Sequence, residues 1–287
     1  MPVPATFSII GFDPETNELG VAVESRFLSV GAVVPWVEGG VGAIATQSWA
    51  NTTYGPRGLD LLKRGVATDE VIRAITKDDE NAAERQVGIV DAHGRSATYT
   101  GAQCKDWAGG AAGPNYAAQG NILTGQAVVD SMVKAFTQTP GYLADRLVAA
   151  LRAGQAAGGD RRGQQSAALY IAKPNGGYGG FNDRYADLRV DDHPAPIEEL
   201  ARILEQHKLY FFKPRPEDVL PIDATLGAEI SALLERAGSL PQGAAFDGKA
   251  RAALVSFMHR ENLEDRVLDG DRIDRQTLAH LRSFTPP

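Results

Sequence analysis

Four short apolar runs at the start of the chain restrict the fold more than any other feature of the sequence. Residues 6–13 and 20–27 flank the turn segment DPETNELG, and residues 32–37 and 41–46 flank a Gly-Gly pair. Runs this short that are bounded by glycine are typical of strands rather than of amphipathic helices. Since tight turns join strands as antiparallel hairpins, the pattern argues against the strand–helix alternation of a doubly wound parallel sheet.

The rest of the first 210 residues alternates pairs of helices with further strands. Apolar spacing predicts helices at 54–64, 69–79, 126–136 and 142–153, and Thr68 is predicted to cap the second of them. Short apolar runs predict strands at 86–91, 95–100, 116–123, 166–173 and 187–192. Hairpins imply antiparallel sheets, and each helix pair must cover one sheet face. The expected class is α+β, with two antiparallel sheets packed face to face and helices outside.

Glycine pairs interrupt this pattern at five points. They lie at 39–40, 109–110, 158–159, 176–177 and 179–180. Because glycine tolerates positive φ, we expect these pairs to form the tight connections between elements. Of the five, only the pair that precedes Asp160 is expected to line a functional site.

A proline-containing stretch is expected to separate this region from a helical tail. Residues 211–222 contain three prolines with charges between them, which indicates a semi-rigid linker. After it, a helix is predicted at Thr225–Ala237, and Asp247 and Asp274 are predicted to cap two more helices. The expected organisation is a domain at 1–210, a linker at 211–222 and a small helical domain at 223–287.

The charge and cysteine content argue against several classes of protein. The chain has 29 Lys and Arg against 36 Asp and Glu, a formal net charge of −7, so nucleic acid is not an expected partner. Its single cysteine rules out an intramolecular disulfide framework and suits a reducing compartment. No apolar run approaches the roughly 20 residues that span a bilayer, and the N-terminal MPVPATFSII is not typical of a signal peptide. We therefore expect a cytoplasmic protein that does not bind membranes.

Common catalytic and metal-binding motifs are absent from the sequence. It contains no GxSxG, no phosphate-binding GxxxxGK[ST] and no HExxH, and its five histidines are scattered. Asp191, Asp192 and His193 precede a proline, which favours an acidic turn over a metal site. Cys104 lacks a pattern of charged partners, which favours an inert side chain over a nucleophile. We therefore expect no metal and no cofactor.

Long stretches of the chain resemble known families. The segments TFSIIGFDPETNELGVAVESRFLSVGAVVPW, GVGAIATQSWANTTYGPRGLDLLKRG, AAQGNIL and QAAGGDRRGQQSAALYI together resemble the DUF1028 family over about residues 5–210. The resemblance implies the four-layer αββα sandwich of the N-terminal nucleophile (Ntn) hydrolases. The tail segments GKARAALVSF, ENLEDR and DGDRIDRQTLAHLR resemble a small helical peptidoglycan-binding domain.

The resemblance implies that Thr6 is a catalytic nucleophile. In an Ntn hydrolase the first residue of the mature chain attacks an amide carbonyl, and its own α-amine, with a pKa of about 7.7–8.0, is the general base. Here Met1–Ala5 precede Thr6, so three possibilities stay open: cleavage of the Ala5–Thr6 bond, a different start site, or a mechanism without the α-amine. The structural alternative is that Thr6 is a β-branched residue that opens a strand.

The end of the second strand supplies further candidates. Glu24-Ser25-Arg26 resembles the Asp-Ser-Arg of proteasome β subunits, in which the acid supports a lysine. No matching lysine is found here, and the resemblance leaves the cationic role to Arg26. Glu24 and Arg26 are therefore catalytic candidates and Ser25 is a substrate-binding candidate. The alternative is a solvated hairpin end.

Polar residues at two other strand ends are expected to face Thr6. Gln47 and Ser48 close the fourth strand and are candidates for binding substrate. Asn121, in the segment QGNIL, is a candidate oxyanion donor, since amide side chains can stabilise the developing charge. The alternative for Asn121 is a turn-forming residue.

The charged stretch from Asp160 to Ser166 lies between a glycine pair and an apolar strand. By resemblance to proteasome subunits, Asp160 is expected to orient the N-terminal amine. Arg161 and Arg162 could bind a substrate carboxylate bidentately, and Gln164 adds an amide to the same stretch. The alternative is a charged surface loop.

Three functions are compatible with these residues. The first is an amidohydrolase that cleaves an amide bond in a small molecule or peptide with Thr6. The second is a non-catalytic protein that binds a ligand or a cell-wall peptide on a degraded Ntn scaffold. The third is a structural subunit of an oligomer, and a homo-oligomer is expected in any case. Since no signal peptide is recognised, the helical tail could contact another subunit instead of peptidoglycan.

Overall fold

The computed structural model describes residues 6–285, which divide into two compact units. The first unit ends at Leu204 and the second begins at Glu205. This division falls inside a helix, Pro196–Phe211. Met1–Ala5, whose removal would expose Thr6, lie outside the described residues. The predicted boundaries at 210 and 222 stay predictions, and the two units are described separately.

The described part of the first unit contains ten strands in two antiparallel sheets. The strands are β1 Thr6–Asp13, β2 Glu18–Ser25, β3 Pro35–Glu38, β4 Gly42–Ser48, β5 Arg85–Asp91, β6 Ser96–Thr100, β7 Gly109–Gly113, β8 Tyr116–Asn121, β9 Ser166–Ala172 and β10 Arg184–Val190. One sheet has the order β10-β9-β2-β1-β8-β7, and the other has the order β3-β4-β5-β6. The mixed α+β class is therefore confirmed, and β1 occupies a central position in its sheet.

Four helices pack on these sheets. They are α1 Tyr54–Lys63, α2 Thr68–Thr76, α3 Ala127–Gln138 and α4 Leu143–Ala156, and α5 Pro196–Phe211 follows them in the chain. Helices α3 and α4 contact the six-stranded sheet, whereas α1 and α2 contact the four-stranded sheet. Gly11 permits the first of these contacts, because a Cβ there would lie 2.7 Å from Cε2 of Phe136 on α3.

Alternation along β1 separates two environments. Ile10 packs with Val21 of β2 and Ala45 of β4 in the core between the sheets. Successive strand residues point to opposite faces, so Thr6 and Ser8 share the face of Ile10 and point between the sheets. The buried polar residues at the start of β1 therefore face the other sheet.

Two local predictions were wrong. Thr68 is the first residue of α2 rather than its cap; the cap position is Ala67, and Thr68 is buried. The pair Gly109-Gly110 lies in edge strand β7 rather than in a turn. A run of glycine and alanine has no large side chains to mark a strand, and at Gly109 this leaves room for the Trp107 indole, 2.6 Å from a virtual Cβ.

The second unit contains three helices that follow α5 and one short strand pair within the described residues. The elements are β11 Val219–Pro221, α6 Ala224–Arg236, α7 Gly248–Arg260, β12 Arg272–Asp274 and α8 Arg275–Ser283. The predicted caps are confirmed, since Asp247 accepts from the Lys249 amide and Asp274 accepts from the Gln276 amide. Strand β11, which pairs with β12, lies inside the predicted linker.

A buried ion pair organises the second unit. The Arg266 guanidinium is 4% exposed, and it donates to both carboxylate oxygens of Asp274. It also donates to the carbonyls of Lys208 at 3.0 Å and Phe212 at 2.7 Å, which lie at the end of α5. Since Asp274 caps α8, this one pair joins the ends of two helices.

Candidate functional site

Thr6 begins the central strand of the six-stranded sheet and is fully buried. It lies opposite Ser25 of β2 on one side and Asn121 of β8 on the other. Its hydroxyl donates to Ser25 Oγ at 3.1 Å, and its carbonyl accepts from Gln47 Nε2 at 3.2 Å. Four residues selected from the sequence therefore meet at one place.

A network of uncharged side chains continues from Thr6 between the two sheets. Ser8 donates to Gln47 Oε1 at 2.6 Å, and Gln119 Nε2 donates to Ser8 Oγ at 2.6 Å. Gln86 Oε1 accepts a hydrogen bond from Gln47 Nε2 at 2.8 Å. All of these side chains are fully buried. Buried amides at this density are costly unless they are hydrogen-bonded, so the network limits how the sheets can pack.

Gln86 is the hub of this network. Its Nε2 donates to the carbonyls of Gly120 at 2.8 Å and Gly109 at 3.2 Å, and to Thr100 Oγ1 at 2.9 Å. Its Oε1 accepts from Gln47 and, at 3.0 Å, from Asn121 Nδ2. Backbone carbonyls can only accept, so the orientation of the Gln86 amide is determined.

Three members of the network, Ser8, Gln86 and Gln119, were not predicted from the sequence. Ser8 and Gln119 lie two residues from Thr6 and Asn121 on their own strands, so alternation could have found them. Gln86 lies opposite Gln47 in the β4–β5 register, which only the pairing reveals. Gly88 supports the arrangement, because a Cβ at this position would collide with the Gln119 side chain.

Glu24 lies next to Ser25 in β2 but points to the opposite face of the sheet. It is fully buried, and no side chain hydrogen-bonds to either carboxylate oxygen. Burial, reinforced by the nearby Asp160 carboxylate, raises the pKa of Glu24 well above its usual range; the Gln165 backbone and the Arg162 guanidinium oppose this rise. The environment therefore favours a neutral Glu24.

Asp160 is held by its own loop and by the residue after β2. Its Oδ2 accepts from the Arg26 amide at 3.0 Å, and its Oδ1 accepts from the Arg162 amide at 2.8 Å. The Arg162 guanidinium also pairs with Asp160 Oδ2 at 3.0 Å. Gly158 and Gly159 adopt φ values of 118° and 55°, which permit this loop to turn back onto the sheet.

The remaining predicted residues surround this loop or lie apart from it. Arg26 Nη1 donates to the Gln164 carbonyl at 3.0 Å, and Arg161 Nη2 donates to the Leu123 carbonyl at 3.2 Å. Ser48 has a φ of 65° at the end of β4. Burial raises the pKa of the Cys104 thiol, and a hydrogen bond between the Ser48 and Cys104 side chains partly opposes this rise.

An ion pair below this strand end was also missed. Asp79 accepts from Arg85 Nε at 2.9 Å, from Asn51 Nδ2 at 2.9 Å and from the Tyr54 hydroxyl at 2.8 Å. The Arg85 guanidinium is the main reason that the pKa of Asp79 lies well below its usual range. These contacts hold the loop that leaves β4 after Ser48.

Residues 6–285 contain neither a candidate metal-binding cluster nor a membrane-spanning helix. In that range no group of three His, Cys, Asp or Glu side chains could hold a metal ion. His193 Nδ1 accepts from the Ala195 amide at 3.1 Å, and Asp192 accepts from Gln165 at 3.1 Å. No helix of the described chain is long and apolar enough to cross a bilayer.

Comparison with known proteins identifies the family. Residues 6–200 match DUF1028, described as a "Family of unknown function". The crystal structure of a DUF1028 protein from Silicibacter pomeroyi is 30% identical, with a TM-score of 0.66, and the match covers 72% of this chain and 91% of that one. This chain belongs to the DUF1028 family. The family recognised in the sequence is therefore confirmed.

This DUF1028 chain also matches a second family after its first unit. Residues 210–281 match a domain described as "Putative peptidoglycan binding domain". A further solved structure, Anbu (ancestral beta-subunit) from Yersinia bercovieri, is 12% identical with a TM-score of 0.31, and the match covers 70% of this chain and 93% of that one. No curated protein matches the chain.

Proposed function

We propose that the DUF1028 unit is an amidohydrolase of the Ntn type that cleaves an amide bond in a small molecule or peptide. The observation that carries the proposal is the placement of Thr6. Its hydroxyl is paired with Ser25 and its carbonyl with Gln47, at the first position of a central strand. The proposal includes a four-layer αββα order. It is supported by the packing of the helices, because α1 and α2 contact the four-stranded sheet and α3 and α4 contact the six-stranded sheet.

The proposed chemistry begins with hydrolysis of the Ala5–Thr6 peptide bond. Water adds across this bond, so that Ala5 gains a carboxylate and Thr6 gains a free α-amine. The amine takes the proton of the Thr6 hydroxyl as the oxygen attacks the substrate carbonyl, and then delivers it to the leaving nitrogen. A second water hydrolyses the resulting Thr6 ester and regenerates the hydroxyl.

Roles for the surrounding residues follow as part of the same proposal. Asp160 accepts from the Arg26 backbone amide and so keeps the loop after α4 against the end of β2, which supports its proposed role in orienting the Thr6 amine. Arg26 keeps its proposed cationic role. Arg161 and Arg162 are exposed on that loop and are proposed to bind a substrate carboxylate. Glu24 is proposed to act in its neutral form beside Asp160.

Activity of Thr6 variants on a panel of small amides and peptides tests this function. Thr6→Ala should lose at least 100-fold in kcat/KM, whereas Thr6→Ser should retain measurable turnover because it keeps a hydroxyl. Thr16→Ala, at an exposed turn position, is the matched control and should behave as the wild type. Unchanged turnover in Thr6→Ala would contradict the proposal.

A second candidate function is supported by the second unit, which we propose to bind a cell-wall peptide or glycan. It matches the peptidoglycan-binding family and contains a groove of about 510 Å³ along α6. Small residues line this groove, among them Gly227, Ala228 and Ala232, and Phe246 lies beside them. Co-sedimentation of the full chain with purified sacculi tests the idea. Ala232→Arg places a large charged side chain in the groove and should abolish binding. Ala252→Arg, at an exposed position of α7, is the control and should bind as the wild type does. No binding by the wild type would contradict it.

A further inference from the structure

Two acceptors in the network around Thr6, Gln119 Oε1 and Asn121 Oδ1, are left without a hydrogen-bond donor, and the second of them belongs to the residue that faces Thr6. Asn121 is fully buried, and its Nδ2 donates to Gln86 Oε1, but its Oδ1 has no partner among the described residues. A buried polar atom without a partner is uncommon in a native protein and requires an explanation. Its position opposite Thr6 in the β1–β8 register makes it relevant to the reaction.

The orientation of the Asn121 amide follows from its neighbours. Gln86 Nε2 is directed to the Gly109 and Gly120 carbonyls, so Gln86 must present Oε1 to Asn121. A flipped Asn121 would place its own oxygen against Gln86 Oε1 and leave its nitrogen without an acceptor. Asn121 therefore presents an acceptor, not a donor, on its remaining side.

The neighbouring amides cannot supply the missing donor. Gln47 Nε2 is shared between the Thr6 carbonyl, Gln86 Oε1 and the Gln119 carbonyl. Gln119 Nε2 is directed to Ser8. The Thr6 hydroxyl is directed to Ser25. Each of these donors is committed to another acceptor, so the partner of Asn121 Oδ1 must come from elsewhere.

We infer that Asn121 Oδ1 binds the α-amine of Thr6 in the chain that begins at this residue; this inference rests on the proposed function. Residues directly opposite on antiparallel strands have Cβ atoms about 4.5–5.5 Å apart, which brings an amide side chain within reach of the facing terminus. Cleavage replaces one amide N–H of Thr6 by the three N–H donors of an ammonium group. Asn121 is therefore a positioning residue for the general base, instead of the oxyanion donor expected from the sequence.

The inference predicts how the amine titrates. A hydrogen bond to the ammonium form stabilises the charged state and raises its pKa. The side chains in the network around Thr6 are uncharged; the ionisable groups adjoining it are Glu24 and Arg26, on either side of Ser25, and Asp160, which binds the Arg26 amide. Changes at Asn121 itself leave these three groups in place.

The test is a pH titration of the Thr6 α-amine by nuclear magnetic resonance in protein labelled with 15N-threonine. The titration uses a chain that begins at Thr6. If the purified protein retains Met1–Ala5, the chain that begins at Thr6 is released from a cleavable fusion protein. Asn121→Leu should lower the midpoint by about one pH unit, and Asn121→Asp should raise it by a similar amount. Gln138→Leu, an exposed amide at the end of α3, should leave it unchanged.

An identical midpoint in the wild type and both Asn121 variants would overturn the inference and assign Asn121 Oδ1 to an ordered water. The isosteric Asp variant keeps the test decisive if Asn121→Leu fails to fold. Because the titration needs no substrate, it separates the two proposals: a shifted midpoint without amidase activity contradicts only the proposed function. Activity with an unshifted midpoint contradicts only the role of Asn121.

Discussion

Each unit contains a buried polar cluster, and the two clusters differ in charge and in how completely their hydrogen bonds are made. In the second unit, Arg266 and Asp274 are charged, and the pair is saturated: the guanidinium reaches three backbone carbonyls, and the carboxylate caps α8 while receiving Thr277. In the first unit, the network around Thr6 is uncharged and incomplete, since Gln119 and Asn121 each retain an oxygen without a partner. A saturated cluster serves the fold, whereas an incomplete one leaves capacity for a further group.

The largest expected effect is on the saturated cluster. Asp274→Ala should lower the free energy of unfolding by about 5 kcal/mol, because it leaves the buried Arg266 charge uncompensated and removes the cap of α8. Chemical denaturation of the full chain, followed by a probe in the second unit, measures this. Asp271→Ala removes a partly exposed ion pair with Arg251 and is the matched control, with an expected loss below about 1 kcal/mol. Equal losses in the two variants would contradict the claim that the buried Arg266–Asp274 pair stabilises the second unit more than an exposed ion pair does.

A smaller loss is expected in the incomplete network. Gln86→Leu should destabilise the first unit by about 3 kcal/mol, because it removes a donor from two buried carbonyls, the acceptor of Asn121 Nδ2 and one of the three acceptors of Gln47 Nε2. Thermal or denaturant unfolding checks this, with Gln103→Leu at an exposed position as control. A loss of unfolding free energy within about 0.5 kcal/mol would mean that water molecules make the hydrogen bonds of the missing Gln86 amide and that the network does not position Thr6.

The smallest expected effect concerns Glu24 and depends on pH. Since its pKa is raised in the folded chain, the folded state keeps a proton that the unfolded state loses above about pH 4.5, and its contribution to stability falls as pH rises towards the folded pKa. Glu24→Gln should therefore be more stable than the wild type at pH 8, with the difference shrinking towards pH 4. Unfolding measured across this range, with exposed Glu80→Gln as control, checks the sign. A difference that does not change with pH would contradict it.

Much of the first unit could be predicted because its strands are short and bounded by glycine. The alternating runs of β1 and β2 placed Thr6 and Ser25 at neighbouring strand ends, which the β1–β2 register bears out. Strand β7 escaped prediction because its glycine and alanine side chains carry no apolar pattern. In a short run, the hydrophobic pattern therefore predicts a strand only when the strand carries large apolar side chains.

The site was less predictable because it depends on pairing between strands far apart in sequence. Treating Glu24-Ser25-Arg26 as one group concealed that Glu24 and Ser25 point to opposite faces of β2. Gln86 looked like the polar start of a strand, and only its position opposite Gln47 gives it a role. The orientation of an amide is set by its hydrogen-bond partners and is not encoded in local sequence.

The most direct test of the central claim is the N-terminal residue of the purified full-length protein, determined by intact mass. We predict a chain that has lost Met1–Ala5 and begins at Thr6, because the proposed reaction needs a free amine on that residue. A catalytically active preparation in which every chain retains Pro2–Ala5 would contradict the claim. In that case the unpaired oxygen of Asn121 would need another donor, and Thr6 would serve the fold alone.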